Sequence, residues 1–492
     1  MKFQQKYIRK AAAQRQVQEA QEELAQEQAQ EQKEQEGRDL KGHEVQEVQA
    51  VEAGSSIESA ERILVLDTIH GGSILVEELR LLGKEAFGLN PYRTTSPPAH
   101  DFDLVISPVH LSPALREAVL RELRGSPKVI SHHDAVREIV QAASLLEGVR
   151  AVEVTGTTAK TTVCELLCQM LRGKSVLSLT SAGTRFSDGK KEVSLTRLSI
   201  TPASILKALR LASENGLDAE FAVFEVSLGL TGVGSVGVLT SLSEDYAIAG
   251  GTSSASNAKK ASLRNFEGIL VVPSSCDVSA PAARAVNIVS KDLYLRGDVA
   301  FFRLNTLNAS DIAPSSAKCK IEGHVRLRLN FCDCAFYRKC VEIALTAALS
   351  LGVPPEELNT SLQAVPARLS VVEWRRRVLV DNSNSGTKLR FLGEVLALAE
   401  RFKRQKREQE KVLIVGEETR YVCEGVGVDE LRKIVEAKHA EFTKIIVVGD
   451  NFSGIFPYEN VIISESLQEA LEEAVKSTGE GAIIVSMVKT WR

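Results

Sequence analysis

No stretch of the chain reaches the roughly 18 consecutive apolar residues that a membrane-crossing helix needs. Met1–Lys10 is polar and charged, so no signal peptide opens the sequence. The eight cysteines lack paired spacing, which excludes a disulfide framework and points to reduced thiols in a cytoplasmic protein. Charge of one sign is also missing: 60 Lys and Arg stand against 64 Asp and Glu, for a formal net charge of −4. A nucleic-acid partner is therefore not expected. Cys332, Cys334 and Cys340 come nearest to a metal cluster. They lack zinc-site spacing and lead into an apolar helical pattern over Val341–Leu351, so a structural role is expected for them. Oligomeric state leaves no mark in the sequence.

What is present is enough for several cores. A chain of 492 residues that is 44% hydrophobic predicts roughly three domains of ~150 residues. Residues 1–58 are set apart by Gln, Glu, Ala and Lys and bury too little to fold alone; a disordered or solvated helical tail is expected. From Arg62 the pattern is α/β. Short apolar runs at Ile63–Leu66, Phe87–Leu89, Leu104–Ile106 and Val129–Ile130 read as strands of a small parallel sheet over residues 59–148. His70-Gly71-Gly72, His110 and His132-His133 each follow one of these runs. Open parallel sheets bind ligands at that edge, so these residues are candidates for holding a substrate. A central unit is expected over 149–364. A third α/β unit is expected over 365–492, with strands at Val378–Val380, Val412–Val415, Ile445–Val448 and Ala482–Val485.

Residues 151–162 carry the strongest chemistry. An apolar strand ends at Thr155; Gly156-Thr157-Thr158-Ala159 follows, then Lys160, Thr161, Thr162 and a helical pattern. Backbone N–H groups at such a strand–loop–helix junction point at an anion, and the helix dipole favours negative charge there. Lys160 can reach terminal phosphates and the Thr161 hydroxyl can ligate Mg²⁺. The loop lacks the full Walker glycine pattern, because Gly156 is its one glycine and Ala159 precedes the lysine.

These segments, taken in order, resemble the Mur ligases over about residues 62–492. Thr155–Thr162 resembles their ATP loop, and Glu225-Val226-Ser227 their magnesium-ligand strand. Ala258-Lys259 resembles the helix that carries their carbamylated lysine, although Lys260 is adjacent. Ala367-Arg368 resembles their linker arginine, and Val380-Asp381-Asn382 their C-terminal nucleotide-contacting segment. Two departures stand out: Tyr246 follows Glu244-Asp245 where a histidine is usual, and Ser383-Asn384-Ser385-Gly386 replaces Ala-His-Asn-Pro. With His70-Gly71-Gly72, His110 and His132-His133, they resemble a divergent branch, the coenzyme F(430) synthetases of methane-producing archaea.

The resemblance implies an α/β, three-domain Mur ligase-like architecture. A central P-loop-type ATPase domain would lie between Rossmann-like N- and C-terminal domains. It implies an ATP- and Mg²⁺-dependent enzyme that activates a propionate of a nickel tetrapyrrole as an acyl phosphate, which carbon of the same molecule then attacks. Lys160, Glu225 and Lys259 would be catalytic. Thr155–Thr162, Arg368, Asp381 and Asn384 would hold nucleotide. Thr161, Glu225 and carbamylated Lys259 would hold the metal, and the histidines and Gly71-Gly72 the substrate. Two alternatives stay open at this point: a Mur-type ligase joining a carboxylate to an amine, and a nucleotide-gated tetrapyrrole-binding protein without turnover.

Overall fold

The computed structural model describes residues 56–492, apart from 244, 308–317, 332–333, 367, 385, 403–409, 419–425 and 491–492. Nearly all of the 1–58 tail, together with Glu244, Cys332, Ala367 and Ser385, lies outside the described residues.

Three sheets organise the chain. The first has four strands, in the spatial order Glu85–Leu89, Arg62–Leu66, Leu104–Ser107, Lys128–Ser131, all parallel. Ile63, Leu64, Val65 and Leu66 are all buried, as a strand covered on both faces requires. Because the strands are parallel, their carboxyl ends share one edge, and the segments beginning at Asp67, Pro108 and His132 leave from it. Ser56–Ser59 forms a helical turn, Ile57 is buried, and its N–H donates to Glu138 at 2.8 Å.

The second sheet has eleven strands. Its middle is parallel, running Ala285–Val289, Ile269–Pro273, Val236–Leu239, Arg150–Thr155, Phe221–Glu225, Ser175–Thr180. The phosphate-loop strand Arg150–Thr155 lies between Val236–Leu239 and Phe221–Glu225, so Gly156, Glu225 and Thr240 emerge side by side. Strands 285–289, 293–296 and 299–307 have no counterpart in the sequence expectations. The reason is physical: Val299–Leu307 alternates buried and exposed residues in an antiparallel ribbon instead of forming an apolar run. The third sheet has six strands, parallel except for the antiparallel edge strand Ser370–Trp374.

One apolar cluster joins the first two sheets. Leu75, Leu79, Val136 and Ile139, from helices beside the first sheet, pack with Leu177, Ile205, Leu206 and Phe224 of the second. Cys340 is buried in the helix Ala335–Ser350 and belongs to the central core, while Cys334 is half-buried. Among the described residues no helix is long and apolar enough to cross a membrane.

Candidate active site

The phosphate loop is built by backbone that only particular residues tolerate. Gly156 sits at φ 144°, and a Cβ there would lie 2.1 Å from Thr240 Oγ1 and 3.0 Å from the Ser241 nitrogen. Thr157 N–H donates to the Ser241 carbonyl at 2.9 Å, pinning the loop to the neighbouring strand end. Ala159 adopts the left-handed conformation at φ 66° and precedes the helix Lys160–Met170 with no side-chain cap. The first N–H groups of that helix thus lack a side-chain acceptor, the arrangement that receives a phosphate. Lys160 folds back over the loop, its Nζ donating to the Gly156 carbonyl at 3.0 Å. Thr155 and Thr162 are buried, while Thr157 and Thr158 are half-buried.

Thr161 and Glu225 meet directly. The Thr161 hydroxyl donates to Glu225 Oε1 at 3.0 Å and lies 2.9 Å from Ser181 Oγ. Ser181 N–H donates to Glu225 Oε2 at 2.9 Å, and Arg368 Nη2 donates to Ser181 Oγ at 3.0 Å. A carboxylate and two hydroxyls converge, hard oxygen donors of the kind Mg²⁺ takes. Burial lowers the Arg368 pKa, while the Glu225 and Glu165 carboxylates counter that pull.

Lys259 and Lys260 part as adjacent helical residues must: Lys259 is 1% exposed and Lys260 is exposed. The Lys259 Nζ lies 5.4 Å from the centre of the Tyr246 ring, and its hydrogen bond to the Ala255 carbonyl is long, at 3.4 Å. Burial first, and then the positive charge of Lys160, bring its pKa down to about 7; Asp245 opposes the shift.

The four histidines line one cleft with Pro108, Val109, Thr201, Pro202, Ser227 and Leu228. At its base is Asp67, fully buried and held at φ 63°. Its carboxylate accepts from the Ile69 and His70 N–H groups, from His70 Nδ1 at 2.8 Å and from His110 Nε2 at 2.7 Å. Burial alone would raise its pKa, but the hydrogen bonds from His110 and His70 outweigh it and hold the carboxyl well below the usual range. The donor atoms of Asp67, His70 and His110 lie within 4.8 Å of one another. His132 Nε2 donates to the Leu66 carbonyl at 2.9 Å, and His133 Nε2 to the Ser227 carbonyl at 3.3 Å. Desolvation lowers their pKa values to about 3 and about 4, so both rings are neutral at pH 7.

Asp67 caps the short turn Thr68–Gly72, and Gly72 stands at the N-cap of the helix Ser73–Leu81, whose start has no side-chain cap. Gly71 and Gly72 are both buried and serve close approach. A Cβ on Gly71 would lie 2.8 Å from Thr201 Oγ1, and one on Gly72 would lie 2.4 Å from the Asp67 carbonyl. In the third sheet, Asp381 ends the strand Arg377–Asp381 and accepts from Ser383 N–H at 3.0 Å. Asn384 is buried, and its side chain turns inward: Nδ2 donates to the Asn382 carbonyl and Oδ1 accepts from Gly386 N–H.

Sequence reasoning missed Asp67 and Ser181. Both stand one residue past a strand's carboxyl end, which was the available signal. It also missed the segment 197–200, which with Ser181 walls a second cavity. Ile200 is tied there by its carbonyl, which accepts from Ser227 N–H at 2.9 Å. Ser181 touches the Thr161–Glu225 pair, and Thr201 and Ser227 line the histidine cleft. One stretch, 197–202, thus contributes to both the histidine cleft and the cavity beside Ser181.

A solved structure of bifunctional folylpolyglutamate synthase/dihydrofolate synthase with Mn, AMPPNP and L-glutamate bound shares the fold, with a TM-score of 0.50 at 14% identity, covering 77% of this chain and 95% of its own. The likeness is one of fold: a three-domain α/β architecture of the Mur ligase-like class. Residues 372–490 match the family model for the coenzyme F430 synthetase CfbE C-terminal domain. A coenzyme F(430) synthetase of Methanosarcina acetivorans is 32% identical over 469 residues, 88% of this chain and 99% of the relative. A second, from Methanocaldococcus jannaschii, is 29% identical over 235 residues, 42% of this chain and 50% of the relative. The chain belongs to the coenzyme F(430) synthetase family.

Proposed function

We propose that the protein uses ATP and Mg²⁺ to activate a propionate carboxylate of a nickel tetrapyrrole and then closes a carbocyclic ring within that molecule. A propionate oxygen attacks the γ-phosphorus and ADP leaves, giving an acyl phosphate. A carbon of the macrocycle attacks the acyl carbon, inorganic phosphate leaves, and the attacking carbon loses its proton. This reading assigns nucleotide to the loop Thr155–Thr162, activated substrate to the cavity walled by Ser181 and residues 197–200, and the macrocycle to the histidine cleft. It takes 59–148, 149–364 and 365–492 as the substrate, ATP-binding and closing domains.

The observation that carries the reading is the Thr161–Glu225–Ser181–Arg368 network, one short segment away from the cleft. Thr161, Glu225 and a carbamate on Lys259 would hold Mg²⁺, which supplies charge neutralisation for phosphoryl transfer. Lys160 brings a fixed cation to the phosphates. Asp381 and Asn384 enter as nucleotide contacts only if the third domain approaches the loop.

Incubation with ATP, Mg²⁺ and the ring-open nickel tetrapyrrole, followed by mass analysis, tests the proposal. The expected product has lost one water, with one ADP and one phosphate released per turnover. A product that gains an amine would make the chain an amide ligase. Binding without ADP release would make it a carrier.

A further inference from the structure

All four cleft histidines spend one ring N–H on a partner that can only accept. For His132 and His133 the partners are the carbonyls of Leu66 and Ser227; for His70 and His110 both donors converge on the Asp67 carboxylate. The hydrogen bond on one ring nitrogen fixes the tautomer, so the other nitrogen is the one that can carry a lone pair. The free nitrogens are Nε2 of His70 and Nδ1 of His110, His132 and His133, and His133 Nδ1 is buried without a hydrogen-bond partner. Lone pairs repel a carboxylate. They suit a Lewis acid.

The four rings differ in reach. His132 and His133 are buried, and the His110 side chain is 26% exposed, whereas that of His70 is 51% exposed. The cleft has a volume of about 20 Å³, far below the roughly 300–1,000 Å³ of pockets that enclose drug-sized ligands. A macrocycle must therefore lie across its mouth, where His70 stands. With Nδ1 turned back onto Asp67, the opposite edge of the His70 ring faces outward. A carboxylate behind an imidazole orients the ring and raises its basicity as a metal ligand. His110 meets His70 edge-on, with centroids 5.1 Å apart, and holds the same carboxylate from the other side.

We propose that His70, positioned by Asp67, is an axial ligand to the nickel of the bound tetrapyrrole through Nε2. The proposal rests on the tetrapyrrole reading above and names the contact that orients the macrocycle. Axial ligation changes no covalent bond of the ring; it seats the macrocycle with one face on the cleft.

The test uses the full chain with the ring-open nickel tetrapyrrole and no ATP. Nickel X-ray absorption and the visible spectrum read coordination, and titration reads affinity. Bound to wild type, the nickel should show one added axial nitrogen. His70→Ala should lose that signature, and imidazole should restore it. Asp67→Asn should weaken binding roughly ten- to a hundred-fold, with nucleotide affinity unchanged in both variants as the check on folding. The assignment is overturned if nickel coordination is the same in wild type and His70→Ala, even where turnover is intact. If wild type neither binds nor turns over the tetrapyrrole, the functional reading fails along with it. Binding and ring closure with four-coordinate nickel would remove the ligand alone.

Discussion

Lys259 stands where its charge is least welcome. It is buried against the Tyr246 ring, and Lys160 adds repulsion. A pKa of about 7 leaves much of the amine neutral near pH 7, and only the neutral amine adds CO₂. Carbamylation would put an anion at the end of this side chain, the charge that the proposed magnesium site calls for. ATP turnover should therefore fall several-fold in enzyme stripped of CO₂ and recover with bicarbonate, while Lys259→Ala should be inactive under both conditions. Turnover indifferent to bicarbonate would return Lys259 to a structural role. The same shift bears on stability. An unfolded lysine titrates near 10.5, so between about 7 and 10.5 the unfolded chain holds the extra proton. In CO₂-free buffer this residue makes stability rise with pH across that window. Lys259→Met should lose that part of the slope in denaturant titrations. That only one of Lys259 and Lys260 could face inward was legible as helix geometry, and the resemblance favoured Lys259. Its neighbourhood was not, because burial depends on Tyr246, a residue read from the sequence only as a missing histidine.

Helix Ser73–Leu81 beside the first sheet and helix Ser204–Glu214 beside the second are joined by two ion pairs: a long, exposed one between Lys207 and Glu77 at 3.9 Å, and a close one between Arg210 and Glu78. Arg210 Nε donates to Glu78 Oε1 at 2.6 Å, and a second nitrogen pairs with the other oxygen. The two partners are not equivalent: the Glu78 side chain is 2% exposed and that of Arg210 is 29% exposed. Removing one member of a buried pair costs roughly 3–5 kcal/mol when it strands a buried charge. Arg210→Ala strands Glu78 and should cost about that much. Glu78→Ala leaves an arginine that water can reach and should cost clearly less. Equal losses in chemical denaturation would show that the pair acts through packing alone. Sequence reading found most elements of the first and third sheets because parallel strands bury both faces and appear as apolar runs. It missed the antiparallel ribbon 293–307, whose alternating pattern gives no such run. It also could not pair Glu78 with Arg210, since 132 residues separate them.

At the scale of the whole chain the attachments are unequal. The first and second sheets share a broad apolar cluster, whereas the third has its own cores, with Cys334 and Leu369 packed against both its core and the central one. Arg368 lies in that seam, two residues before the strand Ser370–Trp374, and reaches Ser181 at the Thr161–Glu225 pair. Arg368 thus ties the seam that carries the third sheet to the Thr161–Glu225 pair through Ser181. Closure of that sheet over bound nucleotide would exclude water and bring Asp381 to the loop. Arg368→Ala should leave nucleotide binding within a few-fold of wild type, because Lys160 and the loop backbone are untouched. Turnover should fall by roughly a hundred-fold or more, since misplaced closing groups cost about that much. Small-angle scattering with a non-hydrolysable ATP analogue and substrate should show wild type contracting and Arg368→Ala remaining extended. Contraction and turnover matching wild type would sever the linker from closure and leave Arg368 as a local partner of Ser181.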